Sequence, residues 1–310
     1  MVPGASTLAV RTASALEAEL QRLRTFAISE QGWDSVPPMW KSVGAEIVRA
    51  YVEFARAEGS MGASALITAG PPGAGKSWAV LAGDLPFSVP VDAITVDADD
   101  IKALLLGLTE ERLELQDRVH AFVSNQWTDV LGRTRLLPDG QPLLRAELGS
   151  LVHGASLALH GIVRRRFIED AYNVIIQGTL SWARVVGESG RDAEPGQGLT
   201  LLRELSGAYE HVEIVAIDVP PDVAEQRAFD RWWHGREAGS PGARYTPADA
   251  VRACYPTTNA RSVCVDNAID TFRSPFGREV FGSVNLSIVR PGGCERWRVQ
   301  HGAVLDREPT

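Results

Sequence analysis

One short glycine-rich segment constrains the fold of this chain more than any other. Residues 70–77 read Gly-Pro-Pro-Gly-Ala-Gly-Lys-Ser, and the apolar run Ala65–Ala69 in front of them has the character of a buried strand. Glycines let backbone N–H groups turn inward around phosphates, the Lys76 ammonium reaches the outer phosphates, and the Ser77 hydroxyl is a ligand for Mg²⁺. The segment predicts a strand, a Walker A phosphate-binding loop and a helix in that order, and it indicates that the chain binds a nucleoside triphosphate with Mg²⁺. The residues expected to contact the nucleotide are Gly70, Pro71, Pro72, Gly73, Ala74, Gly75, Lys76 and Ser77.

Strand-like and helix-like segments alternate along the rest of the chain. Apolar runs at 93–96, 172–176 and 212–217 have the length of strands, and the longer segments around them show helical apolar spacing. This alternation is typical of a mainly parallel sheet with crossover helices on both faces. The predicted class is therefore α/β, with the fold of a P-loop NTPase or kinase.

The N-terminal part is predicted to be a helical extension. Residues 13–24 and 38–57 have apolar residues at three- and four-residue spacing, and a Pro-Pro pair separates the two segments. We therefore expect a helical extension over 1–60 and a kinase domain over 61–310.

The C-terminal part has the pattern of a β-hairpin. Residues 284–289 and 295–299 are strand-like and are joined through Pro-Gly-Gly at 291–293. We expect a hairpin at about 282–301 that extends the edge of the sheet.

Composition limits the class of partner and the compartment. The chain has 310 residues, a formal net charge of −8 and a hydrophobic share of 45%, which is ordinary for a soluble globular protein. The negative charge argues against a nucleic-acid partner. No apolar run is long enough to span a bilayer and no signal peptide pattern opens the chain, so we expect a cytoplasmic protein without a membrane partner. The three cysteines are expected to be reduced and structural.

An acidic turn follows the second predicted strand and supplies the candidate general base. Asp97, Asp99 and Asp100 lie there, and in open α/β sheets the chemistry occurs beyond the carboxyl ends of the strands. Asp99 is the predicted base, because Asp97 still belongs to the strand end and Asp100 is placed to cap the next helix. Asp97 is expected to bind the substrate, to belong to the coordination shell of magnesium or to have a structural role. The alternative is that all three carboxylates cap a helix or remain solvated.

Arginines in a later helix and loop supply the candidate cations. Arg227 and Arg231 are one helical turn apart, and Arg244 follows a glycine-rich loop. A lid at about 227–246 would bring guanidinium groups to a transferring phosphoryl group, with Arg231 and Arg244 as catalytic residues. The alternative is a solvated basic face, which would account well for Arg227.

Together these residues resemble the zeta toxins, which are P-loop kinases whose characterised members phosphorylate UDP-N-acetylglucosamine on the sugar 3′-hydroxyl. The resemblance covers roughly residues 60–260. The matching segments are Gly70–Ser77, Val96–Asp99, Tyr172–Thr179, Asp230–Trp232 and Ala243–Pro247.

The resemblance implies a role for each matched residue. Lys76 and Ser77 would hold ATP and magnesium, and Asp99 would be the general base. Thr179 would lie in the substrate cleft, and Arg231 with Arg244 would clamp the transferring phosphate. It also implies UDP-N-acetylglucosamine as the acceptor and an antitoxin protein as a further partner.

Three positions depart from the family pattern, and all of them concern the acceptor. Gln177 replaces a common glutamate, and a glutamine forms hydrogen bonds but cannot act as a base. Ser181 stands where an arginine is expected, with Arg184 as the nearest substitute. A sugar-contacting glutamate corresponds to Gly161, with Glu147 or Glu169 as alternatives. Gln177, Thr179, Arg184 and Asp97 are therefore the candidate substrate-binding residues.

Two other functions remain open at this point. One is a small-molecule kinase for an antibiotic, a nucleoside or another metabolite, which would have the same loop, base and arginines. The predicted helices at 110–134 and 143–170 could then line its acceptor pocket, or they could simply pack against each other. A nucleotide-hydrolysing switch protein fits less well. Such proteins have an apolar strand that ends in an aspartate, and residues 215–218 have this pattern. However, no catalytic glutamate follows it, and the guanine-reading motif Asn-Lys-x-Asp does not occur.

Overall fold

The computed structural model describes residues 5–28, 33–81, 92–108, 112–182, 185–186, 192–194, 196–240, 242–257, 261–276, 281–300 and 303–309. Two β-sheets occur in this part of the chain. The strands are β1 (Ser64–Ala69), β2 (Ile94–Val96), β3 (Val174–Ile176), β4 (Val185–Val186), β5 (Asp192–Glu194), β6 (His211–Ile217), β7 (Ser283–Arg290), β8 (Gly293–Gln300) and β9 (Ala303–Pro309).

The main sheet has seven strands in the order β2-β3-β1-β6-β7-β8-β9. The pairs from β2 to β7 are parallel, whereas β8 and β9 are added antiparallel. This arrangement confirms the predicted α/β class with a mainly parallel sheet. It also confirms the hairpin at the sheet edge, since Pro291 and Gly292 connect β7 to β8. Strand β9 was not predicted from the sequence.

Ten α-helices are present among the described residues. They are α1 (Thr7–Arg22), α2 (Pro38–Glu58), α3 (Lys76–Leu81), α4 (Ala98–Leu105), α5 (Asp117–Leu131), α6 (His153–Glu169), α7 (Gln197–Leu205), α8 (Pro221–Glu237), α9 (Ala248–Arg252) and α10 (Val263–Arg273). The helices α1 and α2 confirm that the N-terminal part is helical. By the hydropathy of the described residues, no helix is long and apolar enough to cross a membrane.

Two helices differ from their predicted extents. The helix predicted from residue 110 begins at Asp117, because Gln116 has non-helical backbone angles (φ −56°, ψ 140°) and its N–H donates to Glu46 at 2.9 Å. The helix predicted over 143–170 divides into a 3₁₀ segment, Arg145–Val152, followed by α6. Trp127 of α5 is buried, and its Nε1 donates to the carbonyl of Leu105 at 2.7 Å. Of the two alternatives for these helices, an acceptor pocket or simple packing, Trp127 therefore takes part in packing.

The chain divides into two compact units, each made of separate stretches of sequence. The first comprises Met1–Ala57, Asp97–Val163 and Gln226–Pro247; the second comprises Glu58–Val96, Arg164–Glu225 and Ala248–Thr310. The first unit therefore combines the N-terminal helices with stretches assigned to the kinase domain. The expected boundary near residue 60 remains a prediction.

The sheet and the helix α10 form much of the core of the second unit. The strand β1 lies between β3 and β6, and its residues from Ala65 onward are buried. Ser262 is the N-cap of helix α10, since its hydroxyl accepts from the Val265 N–H. The helix contacts β1, β6 and β7. The apolar face that it buries includes Val265, Ala268, Ile269 and Phe272. Burial of these side chains holds the helix on the sheet.

A fully buried arginine organises the first unit. Arg236 of α8 is 0% exposed and donates to both oxygens of Glu147, at 2.9 and 2.8 Å. It also donates to both oxygens of Asp139, at 2.6 and 3.0 Å, and to the carbonyls of Gln141 and Pro142. Every guanidinium nitrogen is thus engaged, which is the condition under which a buried charge is tolerated.

Glu147 completes this cluster from the other side. Its Oε1 also accepts from the indole Nε1 of Trp232 at 2.7 Å, and its Oε2 accepts from the backbone N–H of Leu144 at 2.8 Å. Trp232 is fully buried and packs edge-on against Tyr245 with ring centroids 4.9 Å apart. The cluster therefore joins helix α8 to the 139–147 segment within one unit.

Replacing Arg236 with leucine should strongly destabilise the protein, because Glu147 and Asp139 would be left buried without their cation. Loss of one partner of a buried ion pair costs about 3–5 kcal/mol. The matched control is Arg227→Leu, an exposed arginine of the same helix, for which we expect a loss of at most about 1 kcal/mol. Urea unfolding followed by circular dichroism measures both. Equal losses in the two variants would contradict the assigned role of the cluster.

Candidate active site

Positive backbone φ angles at three glycines shape the phosphate-binding loop of the second unit. Gly70, Gly73 and Gly75 have φ of 148°, 81° and 94°. L-residues rarely adopt this region, so the glycines are required by the backbone path. At Gly70 a Cβ would also lie 3.1 Å from the carbonyl oxygen of Ile217. The loop is therefore closely packed against the end of β6.

The lysine of this loop is held over it by the loop's own backbone. Lys76 Nζ donates to the carbonyl of Gly70 at 2.8 Å and to that of Pro71 at 3.1 Å. The ammonium is therefore held close to the backbone of the loop. Such a placement is suited to binding the outer phosphates of a nucleotide.

Ser77 and Gln177 form the second polar contact of the loop. The Ser77 Oγ donates to Gln177 Oε1 at 3.0 Å. Two neutral oxygens therefore lie together next to the loop, and such ligands suit Mg²⁺ when phosphates and water complete its shell. Within the described part of the chain no cluster of three or more His, Cys, Asp or Glu side chains could hold a metal ion by itself.

The turn after β3 is fixed to the phosphate-binding loop by backbone bonds. The Gly178 N–H donates to Thr68 Oγ1 at 3.2 Å, and the Gly70 N–H donates to the Thr179 carbonyl at 3.1 Å. Leu180 has a φ of 53°, and its carbonyl accepts from the Asn267 side chain at 2.7 Å. These bonds place Gln177 and Thr179 beside the loop.

The acidic turn belongs to the first unit, and Asp97 has a clear local role there. Asp97 is the N-cap of α4, and its Oδ1 accepts from the Asp99 backbone N–H at 2.8 Å. The expectation that Asp100 caps this helix was wrong, because the residue that leaves the strand with extended backbone angles is Asp97. The cap orients the first turn of α4, which carries Asp99.

Asp99 is surrounded by cations within its own unit. Its Oδ1 accepts from Lys102 Nζ at 2.8 Å, and its Oδ2 lies 3.2 Å from Arg244 Nη1. Burial acts to raise the pKa of this carboxyl, but the charges of Lys102, Arg244 and Arg231 outweigh it and hold the pKa well below its usual range. The structure thus brings together the three catalytic residues predicted for this unit, Asp99, Arg231 and Arg244. It adds Lys102, which was not predicted.

Two cysteines near the phosphate-binding loop interact with each other. The buried Cys254 thiol donates to the carbonyl of Ala250 at 3.7 Å, and its interaction with the Cys264 thiol outweighs burial and lowers the pKa of Cys254. The same interaction and burial raise the pKa of Cys264. Cys254, Cys264 and Cys294 are all free thiols.

The other residues considered for substrate binding lie in different parts of the structure. Arg184 lies outside the described residues. Gly161 is a buried residue of α6. Glu147 was wrong as a sugar-contacting residue, because both of its oxygens are used by Arg236, Trp232 and Leu144 in the core. Glu169 is exposed at the end of α6, with its carboxylate 4.0 Å from Arg166.

The contact between Lys102 and Asp99 could have been predicted from the sequence. It follows Asp99 at the i+3 position of a helix, a spacing at which oppositely charged side chains meet. The bond from Gly178 to Thr68 has no such signal, since the two residues are distant in sequence.

The lowered pKa of Asp99 has a consequence for stability. A carboxyl with a lower pKa in the folded chain stabilises the fold above its unfolded pKa of about 3.9 and loses that effect as pH falls through the folded value. We expect Asp99→Asn to be less stable than the wild type at neutral pH, by less than about 1 kcal/mol because the side chain is 36% exposed. The difference should begin to shrink as the pH falls below about 4 and should vanish only when the pH is below the lowered pKa of the folded state.

Urea midpoints of the two proteins at neutral and acidic pH measure this effect. The control is Asp249→Asn, whose carboxylate is 95% exposed and whose stability should match the wild type throughout. A difference for Asp99→Asn that grows as the pH falls would show that its ion pairs do not stabilise the folded chain.

No protein-family model and no curated protein matches this chain. Several solved structures are similar to it at low sequence identity. The PezAT chromosomal toxin–antitoxin system of Streptococcus pneumoniae is 13% identical, with 86% of this chain and 81% of that chain covered and a TM-score of 0.47. The AvrRxo1-ORF1:AvrRxo1-ORF2 complex with sulphate ions is 13% identical, covering 98% and 76%, with a TM-score of 0.48. The same complex with ATP is 12% identical, covering 98% and 75%, with a TM-score of 0.47.

Proposed function

We propose that the protein is an ATP-dependent phosphotransferase that moves the γ-phosphate to a hydroxyl group of a small molecule. The observation that carries the proposal is the position of Asp99 among Lys102, Arg231 and Arg244, in a chain that also has a complete phosphate-binding loop. Phosphoryl transfer needs an acceptor base, phosphate-binding cations and a nucleotide site. The chain contains all three sets of groups.

The loop residues would bind ATP with Mg²⁺. Backbone N–H groups of the loop and the Lys76 ammonium would bind the phosphates, and Ser77 Oγ with Gln177 Oε1 are the oxygens that fit the metal ion. Mg²⁺ neutralises charge on the phosphates. Because Gln177 is uncharged, the protein itself adds no negative charge through these two ligands.

Asp99 would act as the general base. It would accept the proton of the acceptor hydroxyl while the hydroxyl oxygen forms a bond to the γ-phosphorus and the bond to the leaving ADP oxygen breaks. A carboxyl with a strongly lowered pKa is a weak base, and the cations responsible are Lys102, Arg244 and Arg231. A transferring phosphoryl group would draw these cations toward its own oxygens. Asp99 would then become a stronger base during the reaction.

The acceptor that the zeta toxin resemblance suggests is a sugar nucleotide such as UDP-N-acetylglucosamine. The matched residue on the acceptor side is Thr179, next to Gln177. A second candidate is another hydroxylated metabolite, an antibiotic or a nucleoside, and Gln177 and Ser181 favour it because both are uncharged where the family has charged residues. The resemblance also suggests that the protein is the toxin of a toxin–antitoxin pair, acting in the cytoplasm and neutralised by a partner protein.

Loss of the base should separate nucleotide binding from catalysis. We expect Asp99→Asn to bind ATP normally and to transfer phosphate about 10²–10⁴-fold more slowly, because a proton acceptor is removed. Lys76→Ala should lose ATP binding and transfer together. The control is Asp100→Asn, which changes the neighbouring carboxylate of the same helical turn and should stay close to the wild type.

Mass spectrometry of UDP-N-acetylglucosamine and a panel of hydroxylated metabolites, incubated with ATP, Mg²⁺ and each variant, measures the transfer. A gain of one phosphate by any acceptor supports the proposal and identifies the acceptor class. Release of inorganic phosphate alone, with no acceptor modified, would instead indicate a nucleotide-hydrolysing protein. Near-normal transfer by Asp99→Asn would remove this residue from the mechanism.

Expression in a bacterial host tests the toxin assignment. If the protein depletes an essential sugar nucleotide, growth should stop on induction of the wild type and continue on induction of Lys76→Ala or Asp99→Asn at equal protein levels. The Asp100→Asn control should arrest growth like the wild type. Normal growth with a fully active wild-type kinase would indicate a metabolic or resistance enzyme.

A further inference from the structure

A cleft of about 630 Å³ lies in the second unit, between helix α10 and the hairpin of β7 and β8. The helix packs on β6 and β7, and β8 continues the sheet beyond them. The apolar part of the lining includes Ile269 of the helix and Ile288 of β7, which are 6% and 1% exposed. The volume lies within the range of about 300–1,000 Å³ that small-molecule sites have. No lining residue belongs to the phosphate-binding loop or to the turn after β3.

Six charged side chains line this cleft, three of each sign. They are Arg261, Arg273, Arg290, Asp266, Asp270 and Glu295. A ligand with charge of one sign would meet as many like charges as opposite ones, so it would lose hydration without a net electrostatic gain. A ligand that carries both signs can place each charge next to its opposite. The charge pattern therefore favours a zwitterion.

At the end of the cleft near the carboxyl end of β7, the charges are paired within the chain. Arg290 Nη1 lies 2.7 Å from Glu295 Oε1, and its Nε lies 3.0 Å from Asp218 Oδ2. Arg261 Nη1 lies 3.5 Å from Asp266 Oδ1. A ligand at this end would have to compete with existing ion pairs.

Farther along β8, at Trp297, one carboxylate and one guanidinium are not paired with each other. Asp270 and Arg273 are three residues apart on α10, a spacing at which opposite charges usually meet, and both are exposed. The Arg273 guanidinium instead lies over the Trp297 ring, 5.3 Å from its centroid. Within the described stretches of the chain, neither Asp270 nor Arg273 takes part in an ion pair. Both charges are therefore available to a ligand.

These two groups match the two charges of an α-amino acid. The indole ring has no carboxylate to offer, so the N–H donors of Arg273 can bind a ligand carboxylate with two parallel bonds. The Asp270 carboxylate is an acceptor for an ammonium group. Side chains three residues apart on a helix have Cβ atoms about 5–6 Å apart, so one small molecule can reach both. An α-amino acid carries its ammonium and carboxylate on one carbon, which suits this short separation.

We propose that the cleft binds a free α-amino acid with an apolar side chain. The ligand carboxylate bonds to the Arg273 guanidinium, its ammonium bonds to the Asp270 carboxylate, and its side chain packs on Ile269 and Ile288. The inference goes beyond the proposed phosphotransferase function and does not depend on it, because none of these residues belongs to the groups assigned to phosphate transfer.

The experiment compares leucine and phenylalanine with analogues that lack one charge. N-acetyl-leucine and N-acetylphenylalanine keep the carboxylate, whereas leucinamide and phenylalaninamide keep the ammonium. Each compound is titrated by calorimetry into the full-length protein without nucleotide. At least one of the two amino acids should bind the wild type, and each of its two analogues should bind about tenfold more weakly or worse, because a hydrogen bond between charged groups is lost.

Two variants assign each ligand charge to its side chain. Asp270→Asn should weaken binding of the amino acid by about tenfold, to the level of its N-acetyl analogue, and Arg273→Gln should weaken it to the level of its amide. Arg273→Lys should retain part of the affinity, since it keeps the charge. The matched control is Asp249→Asn, which removes a 95% exposed carboxylate outside the cleft and should bind like the wild type. Circular dichroism checks that each variant is folded.

Three results would overturn the inference. They are that neither amino acid binds, that an analogue without one charge binds the wild type as tightly as its parent, or that Asp270→Asn binds no more weakly than Asp249→Asn. The phosphotransferase proposal is unaffected by any of them, because phosphate transfer is measured separately with ATP and Mg²⁺. Conversely, binding of an amino acid that depends on Asp270 and Arg273 would stand even if no acceptor were phosphorylated.

Discussion

The hydrogen bond from the Gly70 backbone to the Thr179 carbonyl is the contact on which the second unit's candidate site depends. It forms because β1 and β3 are parallel neighbours, with Leu66 opposite Ile175, so that both chains leave the sheet at the same edge. Gly70 then turns with a φ that only glycine adopts readily. This contact joins the phosphate-binding loop to the turn after β3, where Gln177 meets Ser77.

The first unit depends on a different kind of interaction. There, one buried guanidinium bonds to Glu147 and Asp139, and the indole of Trp232 bonds to the same Glu147. Arg231 is the neighbour of Trp232 in α8, so the cluster that buries Trp232 also fixes the backbone from which Arg231 extends. Arg231 in turn contributes to the low pKa of Asp99. Helix α8 thus contributes both to the buried core, through Trp232 and Arg236, and to the cations around Asp99, through Arg231.

Local sequence patterns predicted the features that depend on neighbouring residues. The phosphate-binding loop after β1 and the turn between β7 and β8 are such features, because glycine and proline act on their own backbone. Features that depend on distant partners were missed or misassigned. Glu147 is a single acidic residue in a largely apolar stretch of sequence, and only the fold shows that Arg236 and Trp232 are its buried partners. The catalytic roles of Lys76, Asp99, Arg231 and Arg244 remain predictions, since contacts show placement and not turnover.

The bonds of Lys76 also bear on the thermodynamics of nucleotide entry. Its ammonium donates to the carbonyls of Gly70 and Pro71. A phosphate that binds to this lysine must therefore replace these two hydrogen bonds. Binding is then an exchange of one set of acceptors for another, and its enthalpy is the difference between two similar contacts. The gain comes mainly from the higher charge of the phosphate oxygens. Selection for anions is therefore built into the loop: a neutral ligand of the same shape would have no advantage over the backbone carbonyls it displaced.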